Sequence, residues 1–483
     1  MTFSDYTEKS VSDARVLVEL DIGFFNLQWV NNGAGIWCVD ALNIYSWVDS
    51  TLLEEGFSAQ DFGHIGSVQR DGLLLSETTS IAALTDSTDS WYYDSDDRKL
   101  WVCLTEYDEP GIHELTLGVV YGYSFNEFTP PSVPVPYEGR LISVPSIQIA
   151  RDNQYYGVLT YGGGAVDLNN ADGEFDTFAE DNELYGNPVR IYIGYADLDY
   201  DGYEQIYTGV IESVDIGEDE ATFAVADKRK QLTKESKSEL SAQSPISAIK
   251  ALLLEHYSIP YTADYFDLTA FAAAETASSD YTVAYDSSIL DGDKAGKPLI
   301  DVLGDIAAAG FINFWITADG KYTASVVDHD ATTSSVIIRA DDIITKSRII
   351  YDPSEIVSSV KVGYAPTWTT TQTVYSYLTD DDDEDSIYTL YKTYKEHGID
   401  LPLTATAATP WASKFMDING VLTGDMNITV PMIYYATGIS DVVFVEIVRP
   451  NKSGMVGTTL SYITSKSWDL TGVPTLTFGI KFL

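Results

Sequence analysis

Positive charge is what this chain has least of. Its 483 residues contain 28 Lys and Arg against 73 Asp and Glu, a formal net charge of -45. Such a balance repels a polyphosphate backbone, which excludes general nucleic-acid binding unless cations gather in a patch. The one dense basic cluster is Lys228-Arg229-Lys230, which reads as a solvated strand end or a contact to an acidic neighbour. Histidine is also scarce: His64, His113, His256, His329 and His397 lie far apart in sequence. Glu255-His256 falls where a helix would close, and there an imidazole offsets the helix dipole. Neither a Gly-x-Ser-x-Gly elbow nor a His-Glu-x-x-His pair occurs, so the commonest hydrolase signatures are missing. The two cysteines, Cys38 and Cys103, each sit in an apolar, aromatic stretch. Free buried thiols are the expected state, with a bridge left open. No apolar run is long enough to span a bilayer. The start, Met1-Thr2-Phe3-Ser4-Asp5-Tyr6, does not have the form of a secretory signal, so synthesis and folding in a cytoplasm are expected.

What is present is material for packed β-structure. Apolar residues make up 45% and aromatics 12%, with 33 Tyr, and the frequent Val, Ile and Thr favour strands over helices. The length calls for several domains rather than one core. The acidity has three readings: a solvated surface kept soluble by charge, adaptation to a saline habitat, or a duct lined with carboxylates along which DNA would not stick.

Apolar and alternating runs over 10–125, such as Val16 to Ile22 and Lys99 to Leu104, predict short strands. Trp91-Tyr92-Tyr93 and Leu100 flank a polar turn, which predicts a hairpin. The prolines of 128–136 predict an extended linker and a domain boundary. Residues 1–130 are therefore expected to form an N-terminal β-domain, and 140–238 a second β-domain. In 239–345 the period changes to that of helices. Ser244-Pro245 opens a helix running to about His256, and Pro298 to Ala309 forms another, closed by Gly310. Asp319-Gly320 turns a hairpin between two apolar strands. This block reads as a small α/β module. Residues 346–483 return to β, with a Thr-rich and then acidic stretch at 370–430 read as a loop or insertion. The fold class expected is mainly β with a small α/β module.

Few groups of residues suggest chemistry. Asp197, Asp199, Asp201 and Gly202 match the first half of an EF-type loop, where alternating carboxylates converge on calcium. Position twelve is Thr208 rather than Glu, and the flanks read as strands, so an acidic hairpin tip is the plainer reading. Asp167, Asn169, Asp172 and Asp176 are oxygen-rich as well, but their Gly is misplaced for such a loop. Gly292 to Pro298 is one residue short of a phosphate loop and has Pro for its hydroxyl residue. Asp328-His329-Asp330 reads as a turn. Any pair among so many acids permits glycoside hydrolysis on paper, which makes no single pair informative. Trp91-Tyr92-Tyr93 offers either faces for a sugar or the buried half of a hairpin.

One ordered series of motifs stands apart. Residues 162–176, GGGAVDLNNADGEFD, lead into Asn187-Pro188-Val189-Arg190-Ile191-Tyr192-Ile193-Gly194, an acidic hairpin and then Tyr207-Thr208-Gly209-Val210-Ile211. This order resembles tail hub proteins of long-tailed phages and gene transfer agents. The resemblance covers about the last seven-tenths of the chain and leaves 1–130 and 370–430 unmatched. It implies two tube-type β-barrel domains, at 140–238 and 346–483, flanking the α/β insert of 239–345. It also implies a non-enzymatic homotrimer in the tail tip of a virion, assembled in the host cytoplasm. Two similar domains in each of three chains would make a six-fold pseudo-ring. That ring would seat on a tail tube or distal tail protein, carry tip or fibre proteins, and let phage DNA pass without specific binding. Residues 1–130 are expected to contact other tail proteins or a host surface glycan. The rival reading is an extracellular β-rich carbohydrate-binding or carbohydrate-active protein from a saline habitat.

Overall fold

Strands in this chain alternate apolar and polar residues, and the structure buries the apolar set on one face. In Pro188–Tyr195 the inward residues are Val189, Ile191 and Ile193; in Glu220–Asp227 they are Ala221, Phe223 and Val225. The structure is a computed structural model. It describes residues 115–128, 130, 137–151, 157–176, 184–227, 232, 238–286, 297–352, 356–368, 373–381, 396–420, 423–448, 456–470 and 474–483, and before residue 104 the strands named below. The fold is mainly β with a small helical module, as composition and periodicity predict.

The chain divides into two units, residues 1–145 with 163–226, and residues 146–162 with 227–483. The first is built on a nine-stranded sheet. Its order is Leu141–Ser143, Gly164–Asn169, Glu220–Asp227, Glu204–Ile216, Pro188–Tyr195, Ala14–Phe24, Leu115–Ser124, His64–Arg70 and Leu73–Leu74. Ala14–Phe24 lies antiparallel between Pro188–Tyr195 and Leu115–Ser124. The boundary expected near residue 130 therefore does not separate two sheets. The apolar run Val16, Leu17, Val18 and Leu20 is buried in the same sheet that carries 140–226. At the two ends of the proline stretch, Phe128 and Tyr137 exchange backbone hydrogen bonds of 3.0 and 2.7 Å; residues 131–136, on which the expected linker falls, lie outside the described residues. Proline forbids a ladder inside such a stretch but not at its two ends.

A separate five-stranded sheet in this unit holds Val30–Asn31, Ile36–Asp40, Lys99–Cys103, Ser90–Asp94 and Ser76–Glu77. Ser90–Asp94 and Lys99–Cys103 form the predicted hairpin. The register sets Cys38 opposite Trp101 and Cys103 opposite Ile36.

The second unit has a ten-stranded sheet. Its main path runs Tyr322–Val326, Ile312–Ile316, Gly157–Tyr161, Ile147–Arg151, Val456–Asp469, Thr475–Phe482, Asp425–Pro431 and Thr345–Lys346; Val442–Val448 and Ile337–Ile338 branch from it. Among the described residues four α-helices accompany it: α1 Pro245–Tyr257, α2 Leu268–Ala277, α3 Leu299–Ala309 and α4 Ala405–Asn419. The start of α1 is the predicted one: Ser244 Oγ accepts from Ser247 N at 3.2 Å, with Pro245 in the first turn. At its other end Ser258 takes the left-handed conformation, φ 53°. Gly310 follows α3 as expected, yet the left-handed residue is Phe311, φ 55°. The hairpin Ile312–Ile316 to Tyr322–Val326 turns at Gly320, φ 80°.

Residues 370–430 are not a plain loop. They supply the strands Thr373–Asp381 and Glu396–Asp400, which flank Ser359–Trp368, and then α4. The acidic run beyond Asp381 lies outside the described residues. Thr-rich composition and Pro410 hide α4 in the sequence, because both lower helix propensity. Burial of Ala407, Ala408, Trp411, Ala412 and Phe415 outweighs that cost. The Trp411 ring stacks on Phe311 at 5.1 Å and on Phe415 at 5.0 Å, while its Nε1 donates to Ala308 O at 3.1 Å. The same apolar cluster takes in Ile246, Leu253, Phe271, Val302 and Ile306, so α4 completes the core of the insert. Trp411→Ala is expected to cost the second unit about 3–5 kcal/mol, read as an earlier denaturant midpoint; an unchanged midpoint would put α4 outside that core.

Candidate functional site

The motif of residues 162–176 begins where the chain returns from the second unit to the first. Gly162 ends the pair of strands lent to the second unit, and Gly163 opens the return. A Cβ on Gly163 would stand 2.2 Å from Val225 O, so no larger residue fits without moving the backbone. Gly164–Asn169 then pairs antiparallel with Glu220–Asp227. The next residues form a loop held from within by Asn170, whose side chain is fully buried. Its Nδ2 donates to Asp176 Oδ1 and to Gly217 O, both at 2.8 Å, and its Oδ1 accepts from Phe175 N at 2.8 Å. Gly173 makes the bend at φ 76°. Phe175 is driven into the core against Tyr123 and Phe223, with ring centroids 6.0 and 5.8 Å away.

Arg140 binds the outside of the same loop. Its guanidinium donates two parallel bonds to Asp172, at 2.9 and 2.7 Å, and a third to Glu138 at 2.6 Å; Glu174 is also in ion-pair contact. Three carboxylates thus share one cation. Asp172, which holds the fork, has its pKa lowered by that hydrogen bonding. Glu174 is pushed up to about 7, by burial first and then by the Glu138 charge, against the pull of Arg140. Its side chain remains 40% exposed, so water screens part of that penalty. Asn169, Asp172 and Asp176 thus serve the turn, with Asn169 Oδ1 accepting from Ala171 N at 2.9 Å, whereas Asp167 lies in the strand and accepts across the ladder from Thr222 at 3.0 Å.

The acidic hairpin follows Pro188–Tyr195. Asp197 and Asp199 are exposed on the turn, and Asp201 lies in the 3-10 turn Tyr200–Gly202. Among the described residues, no three of His, Cys, Asp or Glu are gathered as a metal site. Leu198 and Tyr203 are buried beneath the tip. Tyr200 reaches further, donating through Oη to Glu19 Oε1 at 2.7 Å.

Glu19 escaped notice in the sequence, where it interrupts an apolar strand. Its side chain is 1% exposed. Tyr137 donates to the same Oε1 at 2.6 Å, and Arg190, directly opposite Glu19 in the ladder, lies 3.5 Å from Oε2. Burial and the Glu19 charge both hold the Tyr137 and Tyr200 hydroxyls far above the ordinary phenol range, so both stay protonated as donors.

One pair resembles nucleophile chemistry. Ser238 Oγ and His256 Nε2 are 2.6 Å apart, but Ser238 is 2% exposed and cannot meet a substrate. The pair ties the last turn of α1 to the preceding strand. His397 stacks on Phe415 at 5.2 Å, and His329 meets the Tyr462 ring edge-on. Lys228-Arg229-Lys230 and Gly292 to Gly296 lie outside the described residues. Among the described residues, no helix is long and apolar enough to cross a membrane.

No family model matches the sequence, and no curated protein matches it. Solved structures do resemble the fold. The chain is similar to the tail protein from Neisseria meningitidis at 12% identity, covering 70% of this chain and 91% of that one, with a TM-score of 0.42. It is similar to a prophage 43 kDa tail protein from Shewanella oneidensis at 14% identity, covering 74% and 98%, with a TM-score of 0.38. A chain in the virion of a native gene transfer agent particle is also similar, at 10% identity, 78% and 80% coverage and a TM-score of 0.29.

Two outcomes are expected from these contacts. Asn170→Ala leaves Phe175 N without its acceptor and should cost the first unit about 2–3 kcal/mol in denaturant unfolding. A loss below about 0.5 kcal/mol would mean that the loop does not depend on it. For Glu174, the folded pKa lies above the usual value of 4.5. The native state therefore holds more protons between pH 4.5 and about 7, and the stability gained from this at low pH is lost as pH rises through that window. Glu174→Gln should thus raise the melting temperature, relative to wild type, more at pH 8 than at pH 5. A difference that does not vary with pH would refute the assignment.

Proposed function

We propose that this protein is a structural component of a phage-like tail tip or baseplate, located in the virion and assigned no catalytic residue. The observation that supports this reading is the use made of residues 162–176. The stretch that carries the family resemblance routes the chain between two β-rich units through Gly163 and locks the loop with Asn170. Residues committed to routing and backbone satisfaction belong to a scaffold rather than to a reacting centre.

In the finer form of the proposal, three copies form a ring in which two β-units per chain supply six similar positions. The ring joins a tail tube or distal tail protein to tip or fibre proteins. Its bore is acidic, so DNA passes without binding. The two β-units are residues 1–145 with 163–226 and residues 146–162 with 227–483, in place of the expected 140–238 and 346–483, and part of 1–130 faces other tail proteins or a host glycan. A cation at Asp197, Asp199 and Asp201 would brace the hairpin.

Negative-stain electron microscopy of the purified chain, with light scattering on the same sample, tests this. A three-fold ring with a central hole or plug is expected. A persistent monomer that binds immobilised glycans would instead support the rival carbohydrate-binding protein.

A further inference from the structure

The segment 343–351, Ile-Ile-Thr-Lys-Ser-Arg-Ile-Ile-Tyr, contrasts with the rest of this chain. It carries Lys346 and Arg348 and no acid, within a protein of net charge -45. It also forms an edge. Thr345–Lys346 ends the main path of the ten-stranded sheet. Backbone bonds from Ile344, Ser347 and Ile350 to Thr429, Asn427 and Asp425 tie one side of the segment to Asp425–Pro431. Its large apolar side chains stay in water: Ile344 is 55% exposed, Ile350 59% and Tyr351 52%. Beside them lies a depression of about 170 Å³ lined by Ala340, Ile343, Ile344, Thr345, Lys346 and Glu446. An edge with exposed apolar side chains can template another strand, and its two cations would disfavour most partners while admitting an acidic one.

The complementary surface is on the first unit. Leu141–Ser143 ends the nine-stranded sheet, and its Ile142 is 46% exposed. Around it Glu138, Asp172 and Glu174 crowd a single Arg140, leaving negative charge in excess. A further cation brought to this rim would relieve the like-charge crowding on Glu174.

We propose that the 343–351 edge of one copy docks on the 138–143 edge of a second copy, with Lys346 and Arg348 facing Glu138 and Glu174 and Ile344 covering Ile142. The two surfaces differ, so the contact is heterologous and repeats around a ring when its angle closes. Charge makes it selective. Two chains this acidic repel in most orientations, and an orientation that sets a cationic edge on an acidic rim is favoured during encounter. The inference rests on the ring-forming reading above and names the surface that would build it.

The full-length chain serves for the test. A zero-length carbodiimide cross-linker, applied to an equal mixture of isotope-labelled and unlabelled protein, should give mixed-isotope peptides joining Lys346 to Glu138 or Glu174. In sedimentation, Lys346→Glu with Arg348→Glu should weaken association about tenfold or more. Adding Glu138→Lys and Glu174→Lys to the same chain should restore it, which a merely misfolded variant could not do. The inference is overturned if Lys346 links only to other surfaces, or if association is indifferent to the reversal. It is also overturned if Lys346→Ser with Arg348→Ser strengthens association, since the two cations would then be guarding the edge against pairing. An oligomer indifferent to the reversal leaves the tail ring standing, whereas a chain that stays monomeric at every concentration removes this interface and the unaided ring together.

Discussion

A carboxylate sealed inside a β-sheet has to be answered by its neighbours, and Glu19 is answered from three parts of the chain. Arg190 comes from the next strand, Tyr137 from the return after the proline loop, and Tyr200 from the foot of the acidic hairpin. Removing one partner from a buried charge costs several kcal/mol, because the charge that remains cannot reach water. The three segments are therefore fixed together. Ala14–Phe24 takes its register from Glu19 opposite Arg190, and a slip of one residue would also turn Val16, Val18 and Leu20 away from their present faces. The chain re-enters at Tyr137 where that residue can donate, and the hairpin tip comes down where Tyr200 can. An apolar residue at position 19 would pack in a strand as well, but it would not select these three contacts over others.

From this anchor outwards, the first unit adds to its apolar core a series of polar groups satisfied one at a time. Asn170 meets two acceptors and one donor inside the loop that opens the recognisable motif. Arg140 gathers the carboxylates outside it. Gly163 gives the backbone room to leave one sheet for another. The second unit is different. Its helices share one apolar cluster, in which Trp411 lies between Phe311 and Phe415, so its order comes from packing.

That difference explains what could be read in advance. Where local chemistry decides, the sequence was legible: Ser244-Pro245 opens α1, Gly320 turns its hairpin, and Ser90–Asp94 pairs with Lys99–Cys103. Where a distant partner decides, it was not. Nothing local in Ala14–Phe24 says that it joins Pro188–Tyr195 rather than closing a domain of its own. α4, interrupted by Pro410 and lying in a Thr-rich stretch, is held helical by the aromatic bed it meets. Glu19 interrupts an apolar run, and only the tertiary structure shows that its carboxylate is sealed and met from three segments. Of the candidate site, the motif loop was visible through its Asn, Asp and Gly residues, but the part played by Arg140 depends on a residue some thirty positions upstream.

Acidity sets the terms on which such a chain can meet another. With 73 acids and 28 basic residues, long-range forces between copies are repulsive, and they fall away over about 8 Å at physiological salt. Association then depends on short-range contacts at places where cations and uncovered apolar groups coincide, since each offsets part of the repulsion. Uniform acidity punctuated by one such edge would leave few stable ways for two copies to meet. A scaffold gains from that restriction more than an enzyme does. Its function lies in the angle at which neighbours join, and an angle is held only when competing contacts are unfavourable. On this argument the excess of Asp and Glu is not only a means of staying soluble. In the proposed assembly it would also suppress the many approximate contacts that a large β-rich surface could otherwise make, and leave the sheet edges to specify how copies join.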